Sequence, residues 1–231
     1  MTRVLVPVEI LDGTSVSPGL MNLLGTVDVT VLGYHVLPEQ TPPDQARHQY
    51  EERATDALED LGEEFRAAGG DADHRLVFTR DREQTVDRVA DEIGARAVAI
   101  SGVTGDVDRL LVSLSGDVAV DRILAFLEEL IGGRDIGVTL LLAGGSGGED
   151  DRLEAAAKRL RDAGLEVRTE RLPEETPFEA LVGLLPDHDA IVMGEAAPSL
   201  RSFLFGGEAE RVASASVGPV IAVRYDESLD G

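Results

Sequence analysis

Short apolar runs alternate with longer amphipathic stretches along this chain, a pattern typical of a parallel sheet covered by helices. In the first half, the apolar runs predict strands at Arg3–Val8, Val29–Val36, His74–Phe78 and Ala97–Ile100. The amphipathic stretches predict a short element at Pro18–Leu24 and helices at Gln45–Ala68 and Glu83–Ile93. The sequence therefore predicts an α/β fold with a doubly wound parallel sheet.

The second half of the chain repeats this order and adds a further helix and strand. Its apolar runs predict strands at Arg109–Leu114, Val138–Ala143, Glu166–Arg171, Ala190–Met193 and Val220–Val223. Its amphipathic stretches predict helices at Val118–Leu130, Arg152–Ala163, Pro177–Leu185 and Glu208–Ala215. The order of elements in the two halves is the same as far as the fourth strand.

Several segments also match by residue type between the halves. RVLVPVE at 3–9 resembles RLLVSLS at 109–115, FRAAG at 65–69 resembles LRDAG at 160–164, and DEIGARAVAISG at 91–102 resembles GLLPDHDAIVMG at 183–194. We therefore interpret the chain as a tandem duplication. One repeat spans 1–105 and lacks its last helix and strand, a complete repeat spans 106–226, and 227–231 form a tail.

Acidic residues dominate the charged positions. The chain has 44 acidic and 21 basic residues, a formal net charge of -23, and Lys158 as its only lysine. Such a surface repels nucleic acid and anionic membranes, because binding either of them requires clustered cations. We interpret the charge as adaptation to a salt-rich cytosol, with a cationic partner as the alternative.

Cysteine usage and hydropathy indicate the compartment. No cysteine is present, which excludes disulfides, thiolate catalysis and cysteine-bound metals. No apolar run approaches the roughly 20 residues that cross a bilayer, and MTRVLVPVEI leads into a strand without a cleavable signal pattern. We therefore expect a cytoplasmic protein without direct membrane insertion.

The polar residues form no catalytic or metal-binding pattern. The histidines are His35, His48, His74 and His188. They lie on separate predicted elements without ligand spacing, so no catalytic residue and no metal site is predicted. His35 follows Tyr34 at the carboxyl end of a predicted strand, where ligands bind in parallel sheets. GGSGG at 144–148 is interpreted as a flexible crossover, with a phosphate cradle as the alternative.

The C-terminal segment carries a glycine motif after an apolar strand. Gly194 and Gly207 stand at the first and third glycines of the pattern G-x2-G-x9-G-[ST], and Glu210-Arg211-Val212 begin the predicted helix that follows. Together with VLVPVE at 4–9 and the long helix after the second strand, this segment resembles the universal stress protein family in a tandem arrangement. The resemblance implies a Rossmann-like fold in which glycine N–H groups and a hydroxyl hold the phosphates of ATP or AMP.

The motif departs from the family pattern at the positions that contact ligand. Ala197 replaces the second glycine, and the acid Glu208 replaces the Ser or Thr. Ser115 and Glu9 stand where the resemblance implies an Asp that touches the nucleoside. A carboxylate facing a triphosphate adds repulsion of about 1 to 4 kcal/mol, whereas it stabilises the start of an empty helix. The resemblance therefore implies an altered ATP site in the second repeat, formed by Ser115, Gly194, Ala197, Gly207 and Glu208.

The resemblance also implies how the protein works. Relatives pair through their last strand, so Pro219, Val220, Ile221 and Val223 are expected at the edge of a homodimer. The expected function is non-enzymatic and regulatory, through dimerisation, weak ligand sensing or docking on a partner such as a membrane transporter. One alternative is an ATP or AMP sensor in which occupancy of the second repeat reorders the 198–206 loop, and slow ATP hydrolysis is a more distant one.

Overall fold

The chain forms alternating strands and helices. The computed structural model describes residues 2–11, 15–38, 40, 42–114, 119–143, 147–172, 183–194 and 218–224. In the first half these form β1 (Arg3–Glu9), α1 (Pro18–Leu23), β2 (Asp28–Val36), α2 (Pro43–Ala67), β3 (Asp71–Thr79), α3 (Arg82–Ile93) and β4 (Ala97–Ile100). A 3-10 turn at Leu24–Thr26 joins α1 to β2.

The described part of the second half continues the alternation. It forms β5 (Arg109–Ser113), α4 (Val120–Ile131), β6 (Gly137–Ala143), α5 (Gly147–Asp162), β7 (Val167–Leu172), β8 (Ala190–Gly194) and β9 (Val220–Val223), with a 3-10 turn at Leu185–Asp187 before β8. Local sequence sets the helix ends. Asp81 caps α3, since its Oδ1 accepts a hydrogen bond from Gln84 N at 2.9 Å, and Gly94 ends the helix at φ 62°.

The α/β fold class predicted from the sequence is confirmed. The bounds of the predicted strands and helices that fall on described residues agree to within five residues. The largest difference is at α5, which begins at Gly147 rather than Arg152. Strand β3 also starts before its predicted position. It begins at Asp71 rather than His74, because this strand lies at the edge of the sheet and tolerates exposed acids on one face. The predicted helix at Glu208–Ala215, most of that at Pro177–Leu185, and residues 144–146 of the GGSGG segment lie outside the described residues.

The nine strands within the described residues belong to one sheet, in the order β3-β2-β1-β4-β9-β8-β5-β6-β7. The order β3-β2-β1-β4 in the first half corresponds to β7-β6-β5-β8 in the second, which supports the interpretation of a duplicated chain. Neighbouring strands run parallel within each half, but β4 and β9 pair antiparallel where the halves meet. The carboxyl ends of the strands therefore point to opposite ends of the sheet in the two halves.

The junction between β4 and β9 corrects one expectation from the sequence. β9 pairs with β8 on one side and with β4 on the other, so it is an interior strand. Its backbone donors and acceptors are already paired within the chain. The expectation that Pro219, Val220, Ile221 and Val223 form the edge of a homodimer is therefore wrong for this strand, because that edge joins the two halves of a single chain.

One continuous apolar core covers a face of the sheet across both halves. Helices α1 and α2 of the first half and α4 and α5 of the second contribute to it, with Leu58, Phe65 and Phe126 fully buried. On the opposite face, Val86 and Val89 of α3 pack on β1, β2 and β4. Helices on both faces explain why the strand interiors are apolar on both sides.

Arg134 links the helices of the two halves. It follows α4, and its guanidinium donates hydrogen bonds to Asn22 O at 2.7 Å, Leu23 O at 2.8 Å and Leu130 O. Burial lowers the pKa of this guanidinium, but the carbonyls at the ends of α1 and α4 still favour the cation. Because those carbonyls come from both halves, the side chain stabilises their mutual orientation.

A second polar group joins the halves beside the sheet. Arg96, which precedes β4, donates hydrogen bonds to Thr2 Oγ1 at 2.8 Å and to Glu129 Oε1 of α4 at 2.7 Å. The side-chain hydrogen bond from Thr2 and the contact with Arg96 lower the pKa of Glu129, although partial burial opposes the shift. The ionised form of Glu129 is therefore favoured in the folded chain.

Candidate functional site

The strands that flank the altered glycine motif end at the same edge of the sheet. Ser113 of β5 lies opposite Met193 of β8, and Gly194 ends β8 as a buried residue opposite Val223. The segments that begin with Ser115 and that follow Gly194 thus leave neighbouring parallel strands, as a ligand site at a carboxyl edge requires. Ser115, Ala197, Gly207 and Glu208 themselves lie outside the described residues, so their role stays a prediction.

The carboxyl edge of the first half is described and carries its own side chains. Glu9 at the end of β1 lies opposite Tyr34 of β2, which is 3% exposed. The Arg82 guanidinium carbon, at the start of α3, lies 5.3 Å from the centre of the Tyr34 ring, within the range of a cation–π interaction. A cation on the face of this ring competes with any planar group that would stack there.

The connection from β4 to β5 lies at the same edge and contacts the start of α1. Ser17 N donates a hydrogen bond to Ser101 Oγ at 3.2 Å, and the carbonyl of Gly105 lies against Gly19. A Cβ on Gly19 would lie 1.7 Å from Gly105 O, so the two backbones are in direct contact. The expectation that the first repeat does not hold a nucleotide stays a prediction.

Sequence reasoning missed both Arg82 and the connection after Ser101. Arg82 is separated from Tyr34 by 48 positions, and nothing in the local pattern indicates that the start of α3 reaches β2. The glycines at 102 and 105 did offer a signal, because glycine permits close approach of two backbones. That signal does not say which segment approaches.

Two of the histidines, His35 and His188, contact neighbouring groups of the described chain. His35 lies between the rings of Tyr50, at 5.8 Å, and Phe78, at 6.3 Å, and its Nδ1 is buried without a hydrogen-bond partner. His188 hydrogen-bonds through both ring nitrogens. Within the ranges the structure describes, no group of three or more His, Asp or Glu side chains is arranged to hold a metal ion. No helix in those ranges is long and apolar enough to cross a bilayer.

We compared the chain with known proteins by sequence and by fold. No family model matches the sequence, and no curated protein matches it significantly. Among solved structures, a universal stress protein from Archaeoglobus fulgidus matches 98% of this chain and 97% of its own, with a TM-score of 0.63 and 17% identity. The chain has the universal stress protein fold. That fold was expected from the glycine motif and the strand pattern.

Two further solved structures are similar in fold to this chain. A universal stress protein from Pseudomonas aeruginosa, described as putative, matches 97% of this chain and 93% of its own, with a TM-score of 0.53 and 13% identity. The cytoplasmic domain of a prokaryotic cation chloride cotransporter matches 96% and 94%, with a TM-score of 0.51 and 12% identity. Each likeness extends over nearly the whole of both chains, so the two halves together form the comparable unit.

Proposed function

We propose that this chain is a non-enzymatic regulatory protein of the universal stress protein class, located in the cytoplasm, with an altered nucleotide site in its second half. The observation that carries the class is the likeness of fold along the whole chain to a universal stress protein. The altered site rests on Glu208 and Ala197, which replace a hydroxyl and a glycine of the motif.

The two halves contribute unequally to this function. In the first half, Arg82 lies over Tyr34 and the connection after β4 packs on Gly19, so groups of the chain itself occupy part of the carboxyl edge. Only the second half has the full motif length after its fourth strand. Nucleotide binding, where it occurs, therefore belongs to the second half.

Electrostatics opposes strong nucleotide binding there. The chain carries a net charge of -23, and Glu208 adds a carboxylate at the motif position that the family fills with a hydroxyl. At contact distance, a carboxylate repels a phosphate by about 1 to 4 kcal/mol, depending on local hydration. We therefore place regulation by protein contact ahead of the ATP or AMP sensor, and we place slow ATP hydrolysis last.

The partner is another protein or another copy of this chain. One observation favours a transporter, because the cytoplasmic domain of a cation chloride cotransporter shares the fold. A homodimer remains possible only through a surface other than β9, whose two sides are paired within the chain. Among the described strands, β3 and β7 lie at the ends of the sheet order.

Thermal unfolding with ATP and AMP tests the ligand part of this proposal. Wild type is expected to show little stabilisation at millimolar nucleotide in about 1 M KCl, where charges beyond about 3 Å are screened. The double variant Glu208→Ser, Ala197→Gly restores the motif and should gain a stabilisation that saturates with nucleotide. Glu154→Ser, which removes an exposed acid from α5, is the control for a general change of charge.

Three outcomes would change the proposal. Saturable stabilisation of wild type, reaching about 2.7 kcal/mol at a hundredfold excess over the dissociation constant, would establish the sensor alternative. If the double variant gains no more than Glu154→Ser, then Glu208 is not what weakens binding. Release of phosphate from ATP by wild type, and its loss in the single variant Glu208→Ala, would support the hydrolase alternative.

A further inference from the structure

A cavity of about 380 Å³ lies at the amino end of the first-half sheet, where β1, β2 and β3 begin. Arg3, Thr30, Asp73 and Arg75 line it, and Arg66 of α2 closes one side. Its volume falls in the range of small-molecule sites. Strands β2, β1, β4 and β9 lie between β3 and β8, so the cavity is separate from the glycine motif after Gly194.

The cavity can be compared with the equivalent position in the second half of the chain. Leu5 lies opposite Thr30, as Leu111 lies opposite Thr139, so the two threonines are equivalent. Arg96 N donates to Arg3 O at 2.9 Å, and Asp189 N donates to Arg109 O at the same distance. Arg96 and Asp189 are therefore equivalent positions. The residues that precede them, Ala95 and His188, are equivalent as well.

His188 fills this place in the second half. Its Nδ1 lies 2.7 Å from Leu184 O, and its Nε2 lies 2.8 Å from Thr139 Oγ1. A carbonyl only accepts, so Nδ1 donates to it, and in the neutral ring Nε2 then accepts from the threonine hydroxyl. The buried hydroxyl of Thr139 is thereby satisfied.

The first half has the same threonine without the same partner. Ala95 has no ring to offer, and Thr30, which is 2% exposed, forms no hydrogen bond through its hydroxyl with the described residues. The hydroxyl is not one of the fully buried unpaired atoms of the described residues, so a small polar group in the cavity can reach it and form a hydrogen bond with it. The cavity that Thr30 lines is where such a group would bind.

The charges around the cavity indicate what kind of group this is. Arg3 and Asp73 both line it, and neither forms an ion pair with another described residue. The other two arginines are engaged, since Arg75 pairs with Glu92 at 2.9 Å and Arg66 donates to Ala72 O at 3.1 Å. A hydrogen bond to a neutral carbonyl leaves the charge of Arg66 in place, so the cavity offers the cations Arg3 and Arg66, the Thr30 hydroxyl and the Asp73 carboxylate, and His74 also lines it. Since Asp73 is exposed and Thr30 is buried, the cavity runs from solvent down to the sheet.

We propose that this cavity binds a small zwitterion, for which a free α-amino acid supplies the simplest chemistry. The ligand carboxylate accepts hydrogen bonds from the Arg3 guanidinium and the Thr30 hydroxyl, and its ammonium group donates to Asp73. A ligand without net charge is favoured over an anion, because a chain with a net charge of -23 repels anions. The site is independent of the nucleotide motif and goes beyond the regulatory function proposed above.

Proton–nitrogen NMR spectra of the full chain, titrated with glycine and L-alanine, test this assignment. Saturable shifts are expected at residues 28–31 and 72–75, while residues 137–140 and 167–170 of the second half stay unchanged. Acetate supplies only the carboxylate and methylammonium only the ammonium. Each is expected to bind at least about tenfold more weakly than glycine, because each loses the hydrogen bonds to one charged group of the cavity.

Matched variants separate this site from general charge effects. Arg3→Gln is expected to weaken binding about tenfold, whereas Arg109→Gln, at the equivalent position of the second half, should leave it unchanged. Ala95→His copies the second half and should abolish binding, since the imidazole then occupies Thr30. If Ala95→His does not fold, Thr30→Val, which keeps the shape and removes the hydroxyl, provides the same readout.

Several results would overturn the assignment. Absence of saturable shifts with any amino acid up to high millimolar concentration would show that the cavity binds no zwitterion. Acetate binding as tightly as glycine would show a simple anion site. Equal losses in Arg3→Gln and Arg109→Gln would show that the effect is one of overall charge.

Discussion

At the scale of single residues, Gly19 shows how close the connection between the halves lies to α1. A Cβ there would lie 1.7 Å from Gly105 O, and backbone cannot rotate away as a long side chain can. Gly19→Ala is therefore expected to lower the free energy of unfolding by about 1 to 3 kcal/mol. Urea denaturation measures it. Gly105→Ala is the control, because a Cβ there meets no atom within 4 Å, and equal effects of both would contradict the packing.

Glu129 adds a dependence on pH at the same scale. Its pKa is lowered from 4.5, first by the hydrogen bond from Thr2, so its stabilising effect is present above that pH and disappears as the pH falls through the folded value. Because the side chain is 44% exposed, Glu129→Gln should cost only about 0.5 kcal/mol at neutral pH. The difference from wild type should shrink in acid denaturation below pH 4.5, and it should be absent for the exposed control Glu63→Gln.

At the scale of elements, β9 is the strand whose role the sequence did not predict. Its bounds, Val220–Val223, agree with the apolar run, because a short buried run is a local signal. Its partner does not follow from local pattern, since antiparallel pairing with β4 joins segments more than 100 positions apart. The alignment of the two halves near β8 was also based on local residue similarity and not on strand pairing. Residue similarity matched Arg96 to His188, whereas the ladder matches Arg96 to Asp189, one position later.

A substitution within β9 distinguishes an interior strand from an edge between chains. Ile221 is fully buried in the sheet, so Ile221→Asp should unfold the chain or lower its stability by about 3 kcal/mol or more. Val36→Asp is the control, because Val36 lies at the end of β2 and is 38% exposed. Circular dichroism and light scattering check both variants. A folded Ile221→Asp protein with half the mass of wild type would restore the expectation of a homodimer through this strand.

At the scale of the whole molecule, the fold and the compositional signals were predictable, but the geometry of the candidate site was not. Apolar periodicity predicted the α/β class because it reports local burial along each strand. The contact of Arg82 with Tyr34 and the cavity at Thr30 depend on residues brought together by topology. The altered motif was recognised from its residues, and Ala197 and Glu208 lie outside the described residues.

The net charge of -23 leads to a prediction for the entire chain. Acidic residues repel one another in the compact state, and salt shortens the range of that repulsion from about 10 Å at 0.1 M to about 3 Å at 1 M. The midpoint of thermal unfolding should therefore rise by several degrees between these KCl concentrations, at about 2 to 4 °C per kcal/mol of stabilisation. Calorimetry measures the shift, with sucrose as the uncharged control. A midpoint that falls with KCl would contradict the interpretation of a salt-adapted surface.

The antiparallel contact of β4 with β9 also has a consequence for mass action. Two separate chains that met through such strands would come apart on dilution, since their association depends on protein concentration. Here both strands belong to one polypeptide, so the effective concentration of one for the other is set by the connecting chain and not by the cell. The contact between the two halves therefore does not depend on the concentration of the protein, and dilution does not separate them.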